Sequence, residues 1–459
     1  MIDKTLVRQL VAVVGERYAL TDPVELACYA YDATHHTQHP AIVLMPANTA
    51  QVAAIMEIAN RERIPVVPRG AGTSLSGGAT PSAGSIVLVM TRLDRIIEID
   101  AANLTATVEP GVVLSDFHRA VEALGLFYPP DPSSMSVATM GGNVGHGSGG
   151  PRGMKYGTTK DYVIGLEVVL ADGRVLHTGG KTLKNASGYD LTHLFVSSEG
   201  TLGVITQITV RLLPLPEAKE TALAIFDNFD TACDAVAAII AAKIVPTTLE
   251  VIDNTTVRRV QAYKPVGLPA DAQGVLLMEV DGFAAEVAHQ VQVVADIARR
   301  CGAVDVRIAR TREENDDLWA ARRAAYPALA SARPTNLVED ATVPRNRIPD
   351  VMRLIQDLAV KYDLEVSLLG HAGDGNTHPV LLFDWRDATA MDRAEGFCNE
   401  LFRATVAMGG TLSGEHGIGL SKARFMEQQH GAEGLAAMRL IKRVFDPNNI
   451  LNPGKTLPQ

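Results

Sequence analysis

Residues Arg69-Gly70-Ala71-Gly72-Thr73-Ser74-Leu75-Ser76-Gly77-Gly78-Ala79 suit neither a helix nor a strand, so the fold must be built around that loop. Four glycines among small hydroxyl residues leave backbone N–H groups accessible, which suits an anionic phosphate or pyrophosphate. A strand–helix–strand run delivers the chain into it. Pro40–Pro46 is short and apolar; Thr49–Arg63 carries Val52, Ile55, Met56 and Ala59 at helical spacing behind the capping pair Asn48 and Gln51; Ile64–Pro68 is apolar again. The loop is no Walker loop, because Gly78 rather than Lys follows Gly77. It is no Rossmann fingerprint either, because Leu75 stands where the third glycine belongs. A flexible glycine loop without a ligand is the plain alternative.

Seven glycines between Gly141 and Gly153 mark a second such segment, whose density predicts irregular backbone in close approach to a ligand. Before it, Val7–Val14 with Gly15 reads as a capped helix. Ser85–Met90, Arg95–Ile99 and Thr105–Val108 read as strands of a mixed sheet, and Val112–Leu124 as a helix. After it, Tyr162–Leu170 and Arg174–Thr178 flank Asp172-Gly173 as a hairpin. Ser197–Thr206 enters a strand that runs out at Leu213-Pro214-Leu215-Pro216, where we place a domain boundary. Beyond it, strands at Thr221–Phe226, Leu249–Ile252 and Gly274–Val280 alternate with helices at Asp230–Ala242, Ala284–Arg300 and Val351–Tyr362. That rhythm predicts an α+β layer with helices over an antiparallel sheet.

The strand Glu365–Leu369 leads into Gly370-His371-Ala372-Gly373-Asp374-Gly375-Asn376-Thr377-His378. Here two imidazoles bracket a tight loop that Gly373 and Gly375 hold open through positive φ. Glu415, in Gly414-Glu415-His416-Gly417, offers a carboxylate and His416 a spare base. Two histidines and one carboxylate leave coordination positions open, as a catalytic divalent metal requires. Taken singly, each histidine reads as a satisfied residue near a turn.

A net charge of −10 excludes the basic footprint of a general nucleic-acid binder. The N-terminal residues carry charges through what would be a signal core, and no apolar run is long enough to span a bilayer, so the expected location is cytoplasmic. Cys28, Cys233, Cys301 and Cys398 stand apart, without the spacing of a disulfide framework or an iron–sulfur cluster.

Six ordered motifs carry a resemblance over nearly the whole chain: Pro68–Gly78, Met140–Tyr156, Ser198–Val204, Gly370–His378, Gly414–Gly419 and Asp446–Lys455. Together they resemble the FAD-linked oxidases of the vanillyl-alcohol oxidase and p-cresol methylhydroxylase superfamily. Within it the similarity is to the glycolate oxidase flavin subunit and to D-lactate and D-2-hydroxyglutarate dehydrogenases. The resemblance implies an α+β fold: a two-part FAD-binding domain of mixed sheets and helices, plus an α+β cap with an antiparallel sheet. The parts would be 1–216 for FAD, 217–420 for the cap that takes substrate and metal, and 421–459 returning to the FAD domain.

It implies that Arg69, Gly70, Ala71, Gly72, Thr73, Ser74, Gly77 and Gly78 wrap the FAD pyrophosphate. Pro130, Asp131, Ser134, Thr139, Gly141, Gly142 and Asn143 would line the flavin, with Glu199, Gly203, Ile205 and Asn452 completing the site. His371, His378 and Glu415 match metal ligands for Zn or Mn, His416 the catalytic base, and Arg322 the arginine that pairs with the substrate carboxylate, with Arg323 as its rival.

The chain departs from the family pattern at Gly147–Gly150, where the family commonly has Asn-Ala-Gly-Gly. Val338 and Val380 replace the residues that hold a second carboxylate in the hydroxyglutarate enzymes, which favours a small or apolar substrate side chain. No histidine lies in Arg69–Gly78, so the expected FAD is non-covalent, with His146 as the nearby candidate for a flavin link.

The implied activity is oxidation of a small (R)-2-hydroxy acid of the glycolate or D-lactate type by hydride transfer to flavin, assisted by metal and a His base. Electrons would leave to oxygen, a quinone, a cytochrome or an iron–sulfur partner subunit. A homodimer and a peripheral membrane association are compatible with this reading. Three others compete: a non-catalytic FAD-binding subunit of an oxidase complex, a dehydrogenase for a larger 2-hydroxy acid, and a metal-dependent hydrolase.

Overall fold

Side-chain caps decide where the first helices start. Asp3 accepts from Leu6 N at 2.8 Å to open the helix Lys4–Val14, and Gly15 closes it. Asn48 accepts from Gln51 N at 3.0 Å to open Thr49–Glu62, while the Gln51 side chain accepts from Ala47 N at 2.7 Å. The computed structural model describes residues 3–458. The chain forms two units: one from 1–149, 158–215 and 415–459, the other from 150–157 and 216–414. The α+β architecture expected from the sequence is the one observed.

In the first unit, a four-stranded sheet takes the order Ala19–Leu20, Ile42–Leu44, Ile86–Val89, Val66–Arg69. Its first pair is antiparallel and the rest parallel. The parallel strands are buried on both faces and read as continuous apolar runs. Their core includes Leu10, Ile55 and Met56 from the two helices, and Ile450 and Leu451 from the far end of the chain. That tail lies beside Val66, whose N donates to Ile450 O at 2.7 Å and whose O accepts from Asn452 N at 2.8 Å. Ile96–Asp100 and Thr105–Val108 belong instead to a second, five-stranded antiparallel sheet, together with the hairpin Val163–Val169/Val175–Gly179 and Val204–Arg211.

The segment expected to be irregular starts with a helix, Met140–His146. Glycine costs about 1 kcal/mol per helical position relative to alanine, and tertiary packing overrides that here. Thr139 accepts from Gly142 N at 3.3 Å as the cap, Met140 and Val144 are fully buried, and a Cβ on Gly141 would come within 2.5 Å of Pro110.

The second unit is organised by an antiparallel sheet in the order Asp305–Ile308, Ala218–Phe226, Gly274–Gly282, Thr248–Asp253, Glu365–His371, Asn376–Phe383, Thr335–Val338, with Ala341–Thr342 also pairing to Asn376–Phe383. Ala284–Arg300 buries Val287, Val291, Val294 and Ala298, the stripe its sequence period predicts. Arg312–Ala332 opens on a capping box, Thr311 with Glu314. No helix among the described residues is long and apolar enough to cross a membrane.

Candidate functional site

His371 ends one strand and His378 lies inside the next, so the pair does not bracket the turn as the sequence suggested. The turn is Ala372–Gly375. Gly375 takes φ +92°, whereas Gly373 has no positive φ and is small because a Cβ there would lie 2.2 Å from Met154 Sδ. His371 is paired with Asn376 on one side and with Glu250 on the other. His378 is two residues along from Asn376, so strand alternation brings Glu250, His371 and His378 to one face. The two imidazole centroids are 5.1 Å apart at 82°, with ligand nitrogens within 4.8 Å of each other.

Each ring is held through Nδ1. That of His371 meets the Glu250 carboxylate, and that of His378 donates to Glu339 O at 3.2 Å. Carboxylates and carbonyls accept, so Nδ1 carries the proton and the lone pair lies on Nε2, the tautomer that could serve a metal.

Arg322 lies on the same face and is buried rather than solvated, its Nε donating to Glu250 Oε2 at 2.6 Å. One turn earlier on that helix, Trp319 Nε1 donates to Glu279 Oε2 at 3.0 Å. The rival Arg323 is exposed and paired with Asp316. Burial alone would raise the Glu250 carboxyl, but His371 and the Arg322 guanidinium at its two oxygens outweigh it and hold the group below the usual carboxylate range.

Sequence reasoning missed Glu250 and Asp340. The signal for Glu250 was a charge inside the otherwise apolar Leu249–Ile252, which demands a partner. Asp340, fully buried, is bonded to Ser413 Oγ and offers an oxygen within 4.8 Å of the His378 ligand atom. It also missed that Gly150–Gly157 leaves the first unit for the second. There Lys155 Nζ donates to Asp281 O at 2.5 Å, and Tyr156 OH to the Asp281 carboxylate at 2.9 Å.

In the first unit the loop Arg69–Ala79 is tied from beneath. Arg69 is buried, with Nη1 donating to Tyr31 O at 2.7 Å and Ala79 O at 3.3 Å. Its guanidinium fills the space where Gly72 would carry a Cβ. Ser74 Oγ accepts from Gly78 N at 3.1 Å, whereas Ala71 is exposed and Thr73 half-buried. Gly70 abuts the Thr139 hydroxyl. Pro130 is buried and its carbonyl meets His118 Nε2 at 3.0 Å. Asp131 and Ser134 are half-buried, and the Ser134 carbonyl accepts from Ala138 N at 2.8 Å.

Glu199 links three segments. Its carboxylate accepts from Ile418 N at 2.6 Å and Gly419 N at 2.8 Å, and its carbonyl from Asn452 Nδ2 at 2.7 Å. Asn452 also donates to Gly78 O at 2.9 Å. Gly203 serves strand packing, since a Cβ there would reach Val168 at 2.4 Å, and Ile205 pairs with Val168. Three buried polar atoms around this loop, Asn143 Nδ2, His146 Nδ1 and Asn452 Oδ1, have no hydrogen-bond partner among the described residues.

Glu415 and His416 belong to this unit, with Glu415 Oε1 and His416 Nε2 3.9 Å apart. The strand of chain that follows covers the glycine loop. Ser76 Oγ donates to His416 O at 3.1 Å, and Ser76 O accepts from Leu420 N at 2.8 Å. Gly419, at φ +50°, has Ser76 O where a Cβ would sit, 2.1 Å away. Gly419→Ala therefore carries both the left-handed penalty of about 1–2 kcal/mol and a backbone overlap. Gly84→Ala, at φ +71° with open space around it, carries the first alone. Thermal melting should show the larger loss for Gly419→Ala; equal losses would mean the close packing contributes nothing.

Residues 40–179 match the family described as FAD binding domain, and residues 215–456 the family described as FAD linked oxidases, C-terminal domain. The chain is 48% identical to the glycolate oxidase subunit GlcD of Bacillus subtilis over 456 residues, covering 99% of this chain and 97% of the relative. It is 41% identical to the Escherichia coli subunit of the same name over 419 residues, covering 91% of this chain and 84% of the relative. With a D-lactate dehydrogenase of Archaeoglobus fulgidus it shares 40% identity over 422 residues, 91% of each. The structure of p-cresol methylhydroxylase with substrate bound is similar in fold, with a TM-score of 0.81 at 19% identity over 99% of this chain and 96% of that one.

Proposed function

The chain belongs to the FAD-linked oxidases, and from that premise we propose that it oxidises a small (R)-2-hydroxy acid of the glycolate or D-lactate type to the 2-oxo acid. The observation that carries this reading is the single sheet face on which two oriented imidazoles and the buried Arg322 converge. The relatives named glycolate oxidase subunit and D-lactate dehydrogenase support the substrate class.

The residues fit both groups that the activity needs. Asn143, His146 and Asn452 offer to a polar cofactor buried atoms that meet no partner among the described residues, and the loop Arg69–Gly78 offers backbone N–H groups to its pyrophosphate. Arg69 itself acts as the tie beneath that loop, and the absence of a histidine in it supports non-covalent FAD. By residue type, His371, His378 and Glu415 would suit Zn or Mn as a donor set. When bound, FAD supplies the acceptor for the Cα hydride, and the divalent ion supplies Lewis acidity toward the substrate hydroxyl.

The protein's own groups orient the substrate and move one proton. Arg322, its Nε engaged by Glu250, turns its two Nη nitrogens to the substrate carboxylate, a bidentate grip that lysine cannot make. His416 takes the hydroxyl proton as general base. Val338 and Val380 sit opposite each other on paired strands, and Val380 shares the His378 face. They give a second carboxylate no partner and favour a small or apolar side chain.

The electrons then pass to a quinone, a cytochrome or an iron–sulfur partner subunit. A partner subunit accords with the word subunit in the relatives' names.

Anaerobic bleaching of the flavin band tests the whole reading. Glycolate or D-lactate should bleach it quickly, L-lactate and 2-hydroxyglutarate slowly, and chelation should abolish the reaction until metal is restored. A protein that contains FAD but is bleached by no 2-hydroxy acid would be a non-catalytic flavin subunit.

A further inference from the structure

The metal ligand and the carboxylate clamp of the proposed reaction touch the same side chain. Glu250 is fully buried, between Leu249 and Val251 of the strand Thr248–Asp253. One of its oxygens accepts from Arg322 Nε at 2.6 Å, and the other meets His371 Nδ1. The register of the sheet sets it directly opposite His371. Arg322 reaches it from the helix Arg312–Ala332, which is anchored one turn earlier through Trp319 and Glu279. A buried carboxylate is tolerated only when paired and hydrogen-bonded. Arg322 alone would balance its charge, yet this carboxylate is shared between two groups with separate tasks.

We propose that Glu250 is a positioning residue that yokes His371 to Arg322, so that the substrate's carboxylate and its α-hydroxyl are registered together. This rests on the 2-hydroxy acid reading above. The argument is one of donors and acceptors. A carboxylate has two acceptor atoms and no donor, so it takes the Nδ1 proton of His371, leaving Nε2 with the lone pair a metal needs. It takes the Nε proton of Arg322 as well, which closes the side-on edge of the guanidinium and leaves the end-on Nη pair for substrate. Glutamine in the same place has one acceptor and one donor. It can satisfy Arg322 while forcing His371 Nδ1 to accept, which puts the proton on the ligating nitrogen, or it can serve His371 and oppose Arg322 with a second donor. It cannot do both.

The test compares full-length wild type with Glu250→Gln and Glu250→Asp, stripped of metal by chelation and titrated with Mn²⁺ alone under detection of the free ion. Steady-state rates with glycolate and D-lactate follow. Glu250→Gln should keep its FAD and bind Mn²⁺ about 10–100-fold more weakly, with KM for the hydroxy acid raised as well. Glu250→Asp, which keeps the charge and both acceptors on a shorter stem, should fall between the two. If Glu250→Gln does not fold, the Mn²⁺ affinity and KM of Glu250→Asp decide alone.

Wild-type affinity and KM in the folded variants, with only a lower melting temperature, would mean that Glu250 merely neutralises a buried arginine, and would overturn the proposal. A wild type that binds no Mn²⁺ and is indifferent to chelation would instead overturn the metal reading itself, and this inference with it.

Discussion

His416→Ala is expected to retain FAD at wild-type stoichiometry while its flavin is reduced by the hydroxy acid about 100–10,000-fold more slowly, the span over which a positioned general base acts. The two effects separate because backbone groups hold this part of the chain. His416 accepts from Ser76 Oγ through its carbonyl, Ile418 N and Gly419 N donate to Glu199, and Leu420 N donates to Ser76 O. Alanine leaves all of those in place. The pH profile should also lose the limb on which the rate rises as the base deprotonates, and added imidazole should recover part of the rate. Reduction of the variant flavin at the wild-type rate would remove His416 from the chemistry.

The second large effect is on stability. Asp446→Ala should destabilise the protein by about 3–5 kcal/mol, the usual cost of stranding one member of a buried ion pair. Asp446 is almost fully buried and paired with Lys442. It also accepts from Ile450 N at 3.0 Å and Leu451 N at 2.7 Å. Lys442 in turn donates to Thr201 O and Leu451 O, both at 2.8 Å. Burial lowers the Lys442 pKa and the Asp446 charge opposes that shift, so removing the carboxylate leaves an ammonium with carbonyls alone. Combining Asp446→Ala with Lys442→Met should not restore stability, because the two backbone amides stay unmet. Calorimetry decides: a melting temperature within a degree or so of wild type would show that the tail is held by its apolar residues.

What could be read from the sequence was whatever declares itself locally. The stripe of Ala284–Arg300, the hairpin around Asp172-Gly173 and the cap at Asn48 each follow from a few neighbouring residues. The glycine loop excluded the two common nucleotide folds by spacing alone. Elements stabilised from elsewhere were not legible. Met426–Phe445 buries only Met426 and Leu435, too few apolar positions to show a period. Met140–His146 is helical against its own propensity, because Thr139 caps it and Pro110 leaves room only for glycine at 141. At the site, the histidines and Arg322 could be picked out by type and motif. That Glu250 is the common partner of His371 and Arg322 could not, since register across strands is not written in any one of them.

The return of the tail to Val66 also bears on how the protein is made. The strand Val66–Arg69 and the glycine loop after it are synthesised before the second unit, yet their neighbours Ile450–Asn452 come after it. On the ribosome the second unit, nearly continuous in sequence, has its sheet complete before the first unit can close. For that interval the apolar edge of the early strands has no cover, a slow, long-range closure of the kind that exposes a nascent chain to aggregation. Cofactor loading into a finished cradle should accordingly await synthesis of Ile450–Asn452, and the yield of active protein should respond to chaperones and to flavin supplied once that segment is made.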